Sequence, residues 1–220
     1  MPLNQFLVYP LELIPYVAIT LVVAFTMHEL AHAYVAYRFG DPTAKNQGRL
    51  TLNPLKHLDV FGTILIFVAG FGWARPVPVN RYHFKKPRLA GICVSIAGPL
   101  SNLVLAFLGF FVYVLLQKFG GEWIMRFEPG VDNFFLIFIN LNVILFLFNL
   151  LPLPPLDGYR IIEDVVSPRI RAKMTQFEQY GIIIFLIFVI TPLGQFVFGP
   201  LIEMRNQIIQ LFNLILKPLL

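Results

Sequence analysis

The stretch AFTMHELAHAYVAYRFG, residues 24–40, decides how the rest of this sequence is interpreted. It continues an apolar run that starts near Leu11 and is long enough to cross a membrane as a helix. Three ionisable side chains, His28, Glu29 and His32, lie inside that run. Ionisable residues in a spanning helix are costly and usually have a functional reason. The stretch therefore predicts a transmembrane helix that carries a reactive site.

The composition indicates that lipid covers part of the protein. Of 220 residues, 57% are hydrophobic and only 13% are charged, whereas about a quarter of a soluble domain is charged. We therefore expect the lipid bilayer as a partner. The net charge of +5 is typical of cytoplasmic loops in a membrane protein, so we expect no nucleic-acid partner. The single cysteine, Cys93, excludes an internal disulfide.

The apolar runs predict an α-helical polytopic membrane protein with about five to six transmembrane helices. A bilayer core of about 30 Å needs about 20 helical residues. The runs of spanning or nearly spanning length, the last of them weaker, cover residues 11–37, 89–116, 134–151, 181–198 and 201–220. The run at 60–71 is shorter, and we interpret residues 48–82 as a re-entrant or strand-bearing excursion between the first two spanning helices. We expect one membrane-embedded domain over residues 1–220, with its core at about 11–165 and C-terminal helices at about 178–220.

The opening stretch contains the pattern HExxH. His28 and His32 are four residues apart, so they share one face of a helix, and Glu29 points into the same sector. This spacing is typical of zinc hydrolases, in which two neutral imidazoles hold Zn²⁺ and the glutamate takes a proton from water. The alternative is a pair of packing histidines, but unpaired polar groups in an apolar helix would be costly. We therefore predict one zinc ion per chain.

A catalytic zinc ion normally takes a third protein ligand. His57 and His83 stand in polar, basic segments, and we interpret them as loop histidines. A better candidate is Asp157 in FNLLPLPPLDGYRI, residues 148–161, where prolines end an apolar helix. Its carboxylate suits zinc, but it would serve equally as the N-cap of the next helix. The spacing leaves both roles open.

The two motifs together resemble the site-2 protease family of intramembrane zinc metalloproteases, in its short bacterial form. Residues 48–64 and 97–103 are similar to segments between the two metal motifs of bacterial members, so the likeness covers about residues 24–165. Many members have Asn-Pro before the final Asp-Gly, where this sequence has Pro155 and Leu156. No PDZ or CBS insertion is present, so we expect no regulation through such modules.

The resemblance implies roles for individual residues. His28, His32 and Asp157 correspond to the zinc ligands and Glu29 to the catalytic base. Asn102 and Asn140 are amides in apolar helices, whose ordinary role is hydrogen bonding between helices. The resemblance makes these two amides the best candidates for holding the substrate backbone or orienting the zinc ligands.

The topology follows from the metal site. The histidines and Asp157 meet only if their helices run parallel, which requires an odd number of crossings between them. The run at 60–71 therefore should not cross. Residues 38–88 and 152–176 then share one side and carry most of the lysines and arginines. The positive-inside rule makes that side cytoplasmic in a bacterial cell membrane and leaves the N-terminus outside.

These observations predict a zinc metalloendopeptidase that cleaves a transmembrane protein substrate in or near its membrane segment. PVPVN, residues 76–80, is either a rigid loop or an edge to which unwound substrate adds as a strand. Another membrane zinc peptidase, acting on soluble or peripheral peptides, would use Glu163 or Glu178 as its third ligand. A membrane metal transporter is a more distant alternative.

The C-terminal run, residues 201–220, has a polar stripe at helical spacing. It predicts an amphipathic helix that lies at the membrane surface or turns its polar side toward the bundle or a partner chain. The alternative is a further span with the polar residues packed inward. The stripe consists of Glu203, Asn206, Gln207, Gln210, Asn213 and Lys217.

Overall fold

The computed structural model describes residues 8–69, 72–121, 126–181, 183–184, 187, 191 and 194–219. The α-helices bounded within these residues are α1 (Ile14–Arg38), α2 (Thr43–Asn46), α3 (Val60–Ala69), α4 (Pro87–Phe119), α5 (Gly130–Asn149), α6 (Asp157–Val165), α7 (Pro168–Glu178) and α8 (Gly194–Leu216). Short 3₁₀ turns occupy Leu11–Leu13, Pro54–Lys56, Arg81–His83 and Lys217–Leu219.

Three helices within the described residues are long and apolar enough to cross a membrane: Leu11–Arg38, Pro87–Phe119 and Gly130–Asn149. They match three of the predicted runs, and the expected helical membrane architecture is confirmed to that extent. The predicted span at 181–198 lies partly outside the described residues. The number of spans beyond these three therefore stays a prediction.

Helix α4 lies at the centre of the molecule and packs against α1, α5 and α6. Small residues along α4 allow these neighbours to come close, as is common between membrane helices. At Gly109, for example, an added Cβ would lie 2.7 Å from the ring of Phe138 on α5. The close approach of α4 to both α1 and α6 brings the two predicted metal motifs together.

Apolar clusters hold the bundle, and two of them join its long helices to α8 and to α3. One joins α4, α5 and α8 through Phe110, Val143, Leu147, Phe212 and Leu216, among others. The other joins α1 and α3 through Val17, Leu21, Phe25 and Ile66. The predicted site lies on the parts of α1 and α4 between the second cluster and the polar loops.

The excursion between α1 and α4 contains one ten-residue helix, α3. Its described length is about 15 Å, half of the hydrocarbon core; that residues 60–71 do not cross the membrane stays a prediction. Within the described part of the excursion there is no strand, only an isolated antiparallel bridge between Leu58 and Ala74. The strand-bearing alternative is therefore wrong for these residues, and Pro76 and Pro78 exclude a helix where the chain approaches α1.

The C-terminal helix α8 is helical as predicted, but its polar residues do not pack inward. Leu201, Phe212 and Leu216 are buried against α4 and α5. The predicted polar stripe is exposed at every position: Glu203, Asn206, Gln207, Gln210, Asn213 and Lys217. The polar-inward alternative is thus wrong, because the apolar face of α8 is the one that completes the core.

Candidate metal centre

His28 and His32 lie side by side on α1, buried at 7% and 8% exposure. Their Nε2 atoms are 3.0 Å apart, as the i, i+4 spacing predicts. The Nδ1 atom of His32 lies 2.7 Å from the carbonyl oxygen of Val94 on α4. Because a carbonyl can only accept, the proton of His32 is on Nδ1, and Nε2 presents a lone pair.

Asp157 is the first residue of α6, after the proline-rich break at the end of α5. Its Oδ2 atom lies 3.2 Å from Nε2 of His28 and 3.4 Å from Nε2 of His32. Leu156 occupies the N-cap position of α6, where no side chain caps the helix. The N-cap alternative for Asp157 is therefore wrong: its carboxylate faces the histidines.

The three facing atoms fit a zinc ion. Their separations of 3.0, 3.2 and 3.4 Å compare with the roughly 3.3 Å between ligand atoms in a tetrahedron whose metal–ligand distances are about 2.0 Å. Two imidazole nitrogens and a carboxylate oxygen are also a donor set that catalytic zinc uses. Among the described residues, His28, His32 and Asp157 form the group whose ligand atoms converge in this way.

Gly98 on α4 keeps the space beside these atoms open. A Cβ there would lie 2.3 Å from Nε2 of His32 and 2.7 Å from Nε2 of His28, closer than real Cβ contacts. Gly98 lies in residues 97–103, a segment of family resemblance, but the sequence predicts no role for it. The sequence feature that could have identified this role is a glycine on the helix that passes beside the metal motifs.

The two predicted amides have different positions. Asn102 is wholly buried, and its Oδ1 lies 2.7 Å from Nδ1 of His28. Asn140 donates from Nδ2 to the carbonyl oxygen of Leu136 on its own helix, and it does not line the cavity at the site. The amide of α5 that contacts Asn102 is Asn142, for which the sequence predicts only the ordinary role of hydrogen bonding between helices.

Glu29 is buried on the same face of α1, at 7% exposure. Its Oε2 accepts a hydrogen bond of 2.8 Å from the backbone N–H of Val77. Arg49, one of the arginines of residues 38–88, is only 5% exposed. Burial lowers the pKa of Arg49, and the charge of Glu29 acts in the opposite direction. A buried cation therefore stands near the predicted base.

The segment 72–80, which carries Val77, is held by polar contacts on one side. The N–H of Arg75 donates to the carbonyl of His57 at 2.8 Å, and the carbonyl of Arg75 accepts from Arg49 at 2.6 Å. The N–H of Asn80 donates to Asp41 at 2.6 Å. Burial alone would raise the pKa of Asp41, but hydrogen bonds from Thr43 and from the Asn80 backbone outweigh it and leave the pKa below its ordinary value.

His57 lies in a loop as predicted, but it is completely buried. Its Nε2 lies 2.7 Å from the carbonyl oxygen of Thr51. His57 thus supports the segment 72–80 and stays away from the predicted metal ligands.

A buried ion pair joins Arg81, the residue directly after the segment 72–80, to the helix that carries Asp157. Asp164 on α6 is 1% exposed and pairs with Arg81, while Arg171 stands 3.4 Å from the same carboxylate. The carboxylate fits because Gly91 of α4 has no Cβ, which would lie 2.0 Å from Oδ2. Two walls of the site are therefore linked directly.

The alternative third ligands point elsewhere. Glu163 accepts a hydrogen bond of 2.9 Å from Thr175, and Glu178 pairs with Arg160 at 3.4 Å. Neither belongs to the convergent group of metal-binding atoms in the described chain. The arrangement that the rival zinc peptidase would need is therefore not formed.

These groups enclose a cavity of about 280 Å³. Its walls come from α1, the segment 72–80, α4, the end of α5 and the start of α6. Glu29, His28, His32 and Asp157 all line it. The cavity therefore places a candidate base and three candidate metal ligands around one space.

The family model described as Peptidase family M50 matches residues 16–128 and 121–192 of the chain. This chain belongs to peptidase family M50. The membership confirms the predicted resemblance, since it covers the HExxH helix, the intervening segments and the Asp-Gly motif. The M50 peptidase described here is accordingly a zinc-dependent metalloprotease and a membrane protein.

Named relatives agree with this family. The M50 peptidase is 67% identical over 219 residues to "Putative zinc metalloprotease YwhC" of Bacillus subtilis. This match covers 99% of this chain and 100% of that relative. It is 34% identical over 171 residues to Rip2 of Mycolicibacterium smegmatis, across 76% of this chain and 63% of Rip2. It is also 34% identical over 142 residues to MJ0611 of Methanocaldococcus jannaschii, across 63% of this chain and 64% of MJ0611. No solved structure matches the chain.

Proposed function

We propose that this M50 peptidase is an intramembrane protease that hydrolyses peptide bonds in or near the transmembrane segments of membrane proteins. One zinc ion is held by His28, His32 and Asp157, and Glu29 is the general base. The observation that carries the proposal is the convergence of the three ligand atoms beside Glu29, in a cavity walled by helices of membrane-spanning character.

The zinc ion, when bound, supplies a Lewis acid that polarises a peptide carbonyl and lowers the pKa of water. Glu29 takes a proton from the attacking water and delivers it to the nitrogen of the leaving amine. The Val77 N–H holds Oε2 of Glu29, so we assign Oε1 to the water. No nucleophilic side chain is needed for this reaction.

The substrate must present an extended backbone, because a helix keeps its carbonyls in hydrogen bonds. The segment 72–80 forms a fixed wall beside that backbone, since Arg75, Val77 and Asn80 are each held by a hydrogen bond. Pro76 and Pro78 have no N–H. These contacts favour the rigid-loop interpretation, because within PVPVN only the N–H of Val79 is left to donate to an added strand.

We further propose that all 220 residues form one membrane-embedded domain, in a bacterial cell membrane, with the zinc site toward the cytoplasm. The support is the charge distribution: most of the 17 lysines and arginines lie in residues 38–88 and 152–176, which flank the site. A metal transporter would need a polar path on both sides of the metal. The part of α1 before the site instead carries the buried apolar side chains of Val17, Leu21 and Phe25. This apolar packing favours the protease over the transporter.

The test combines two variants with zinc analysis and a map of cleavage positions. Glu29→Gln should retain zinc and lose cleavage, because glutamine has the size of glutamate but accepts no proton. Asp157→Ala should lose most of its zinc. Each protein is co-expressed with a panel of single-span membrane proteins, and new termini are identified by mass spectrometry.

Cleavage by Glu29→Gln at the wild-type rate would remove Glu29 from the mechanism. Unchanged zinc in Asp157→Ala would remove Asp157 from the ligand set. New termini found only in soluble or peripheral peptides would favour the alternative zinc peptidase.

A further inference from the structure

Two amide side chains lie close to His28: Asn102 contacts it, and Asn142 contacts Asn102. Asn102 on α4 and Asn142 on α5 are both 0% exposed. Burying an amide without hydrogen bonds is expensive, and apolar residues surround both positions in the sequence. The proposed reaction requires neither amide to touch the substrate, so their burial needs another explanation.

The two amides form one continuous chain of hydrogen bonds. Nδ2 of Asn142 donates to the carbonyl oxygen of Phe138 at 2.8 Å. Oδ1 of Asn142 accepts from Nδ2 of Asn102 at 3.1 Å. The same Nδ2 lies 3.3 Å from the carbonyl oxygen of Ala24 on α1. Oδ1 of Asn102 faces Nδ1 of His28 at 2.7 Å.

The direction of this chain follows from its ends. The backbone carbonyls of Phe138 and Ala24 can only accept hydrogen bonds, so an amide nitrogen must face each of them. Asn142 therefore turns its oxygen to Asn102, and Asn102 turns its oxygen to His28. An acceptor opposite Nδ1 requires the proton of His28 to be on Nδ1. Its Nε2 then presents the lone pair that a metal ion needs.

His32 obtains the same tautomer by a simpler route. Its Nδ1 faces the backbone carbonyl of Val94, which cannot change its role from acceptor to donor. The Asn102 side chain opposite His28 can rotate by 180° and offer a donor instead. The orientation of Asn102 therefore has to be set by a further group, and Asn142 is in contact with it.

We propose that Asn142 is a positioning residue of the metal site, which fixes the orientation of Asn102 and, through it, the tautomer and orientation of His28. The inference rests on the proposed function, since it takes His28 to be a zinc ligand. Without the oxygen of Asn142, only the longer contact to Ala24 keeps the nitrogen of Asn102 away from His28. In the rotated state, Nδ2 of Asn102 faces Nδ1 and favours the tautomer with its proton on Nε2.

The test compares Asn142→Leu with the control Asn140→Leu. Leucine is close to asparagine in size, and both variants lose a bond to a carbonyl of α5 itself, Phe138 or Leu136. Only Asn142→Leu loses the contact to Asn102. We expect it to weaken zinc binding by about 10- to 100-fold, as loss of an outer partner of a metal ligand commonly does, and Asn140→Leu to bind as the wild type does.

Asn142→Asp is the conservative variant that should rescue binding. Either protonation state of the new carboxyl retains an oxygen acceptor for Asn102, so we expect a zinc dissociation constant within a few-fold of the wild-type value. Zinc affinity is measured on the full chain in detergent by competition with a chelator, and folding is compared by size-exclusion chromatography. Because Asn142 is buried and Asn140 is partly exposed, a packing defect at position 142 is detected separately, as a lower unfolding temperature of Asn142→Leu; weaker zinc binding without that loss supports the proposal.

A second measurement does not depend on the folding of the Asn142 variants. In zinc-free wild-type protein labelled with ¹⁵N-histidine, the ring signals of His28, assigned by their loss in His28→Ala, should show a proton on Nδ1. A proton on Nε2 overturns the proposal, as does wild-type affinity in folded Asn142→Leu. If His28→Ala retains its zinc, the proposed ligand set is wrong. If His28→Ala loses its zinc but Asn142→Leu binds zinc as the wild type does, only the proposed role of Asn142 is wrong.

Discussion

Gly98 shows how strongly the metal site depends on single atoms. It is the residue of α4 that passes Nε2 of both histidines, and an added Cβ would lie 2.3 and 2.7 Å from them. The structure relieves this contact only by moving α1 or α4 or by displacing the imidazoles. We therefore expect Gly98→Ala to lower zinc affinity by at least about tenfold, equivalent to roughly 1.4 kcal/mol, measured by chelator competition.

Gly109→Ala is the matched control for this change. Gly109 is on the same helix and has a similar conflict, 2.7 Å, but with the ring of Phe138. That substitution tests helix packing without touching the ligands, so zinc affinity should stay at the wild-type value even if the unfolding temperature falls. Equal zinc loss in both variants would show that α4 packing, and not the space beside the ligand atoms, explains the effect.

At the scale of elements, the site depends on the link between the segment 72–80 and α6. Asp164 of α6 is 1% exposed and receives Arg81 and Arg171. Removing one partner of a fully buried ion pair commonly lowers the free energy of unfolding by about 3–5 kcal/mol. Because Arg81 and Arg171 are partly exposed and water can still solvate them, we expect a loss of about 1–3 kcal/mol for Asp164→Asn. Because α6 carries Asp157, zinc affinity should fall as well.

The comparison variant is Glu178→Gln, which breaks the more exposed pair with Arg160. Such surface pairs contribute about 0–1 kcal/mol. Thermal unfolding in detergent and zinc retention are measured for both proteins. Equal unfolding temperatures and equal zinc content in the two variants would contradict a role for the Asp164 cluster in holding α6.

At the scale of the whole molecule, the buried residues of the apolar cluster of α4, α5 and α8 do not line the cavity at the metal site. Phe212 of α8 is 5% exposed in that cluster, whereas Leu214, on the same helix, is 67% exposed. We expect Phe212→Ala to lower the free energy of unfolding by about 3 kcal/mol and Leu214→Ala to leave it nearly unchanged. Both variants should retain stoichiometric zinc.

Zinc content after purification and the unfolding temperature in detergent test this expectation. Zinc loss from folded Phe212→Ala would show that α8 supports the site, contrary to the arrangement described above. A deletion of residues 201–220 extends the same test, since it removes the exposed polar stripe together with Leu201, Phe212 and Leu216.

The sequence by itself determined the features that depend on neighbouring residues. The helical repeat places His28, Glu29 and His32 on one face whatever surrounds the helix. Prolines end the helix before Asp157 for the local reason that they lack an N–H and clash with the preceding turn. The membrane class follows from composition, because so much apolar surface cannot be buried in a chain of this length. These properties do not require knowledge of which helices pack together.

Only the tertiary structure decided which of several similar residues belongs to the site and which of two possible roles a residue has. Asp157 was equally suited to be a cap or a ligand, and the packing of α4 against α1 and α6 set its direction. Asn140 and Asn142 stand in one apolar run, about 200° apart around a helix. The rotation of α5 against α4 determines which amide reaches Asn102, and it results from side-chain packing between helices. No local pattern contains that information, because the interlocking surfaces come from segments far apart in the chain.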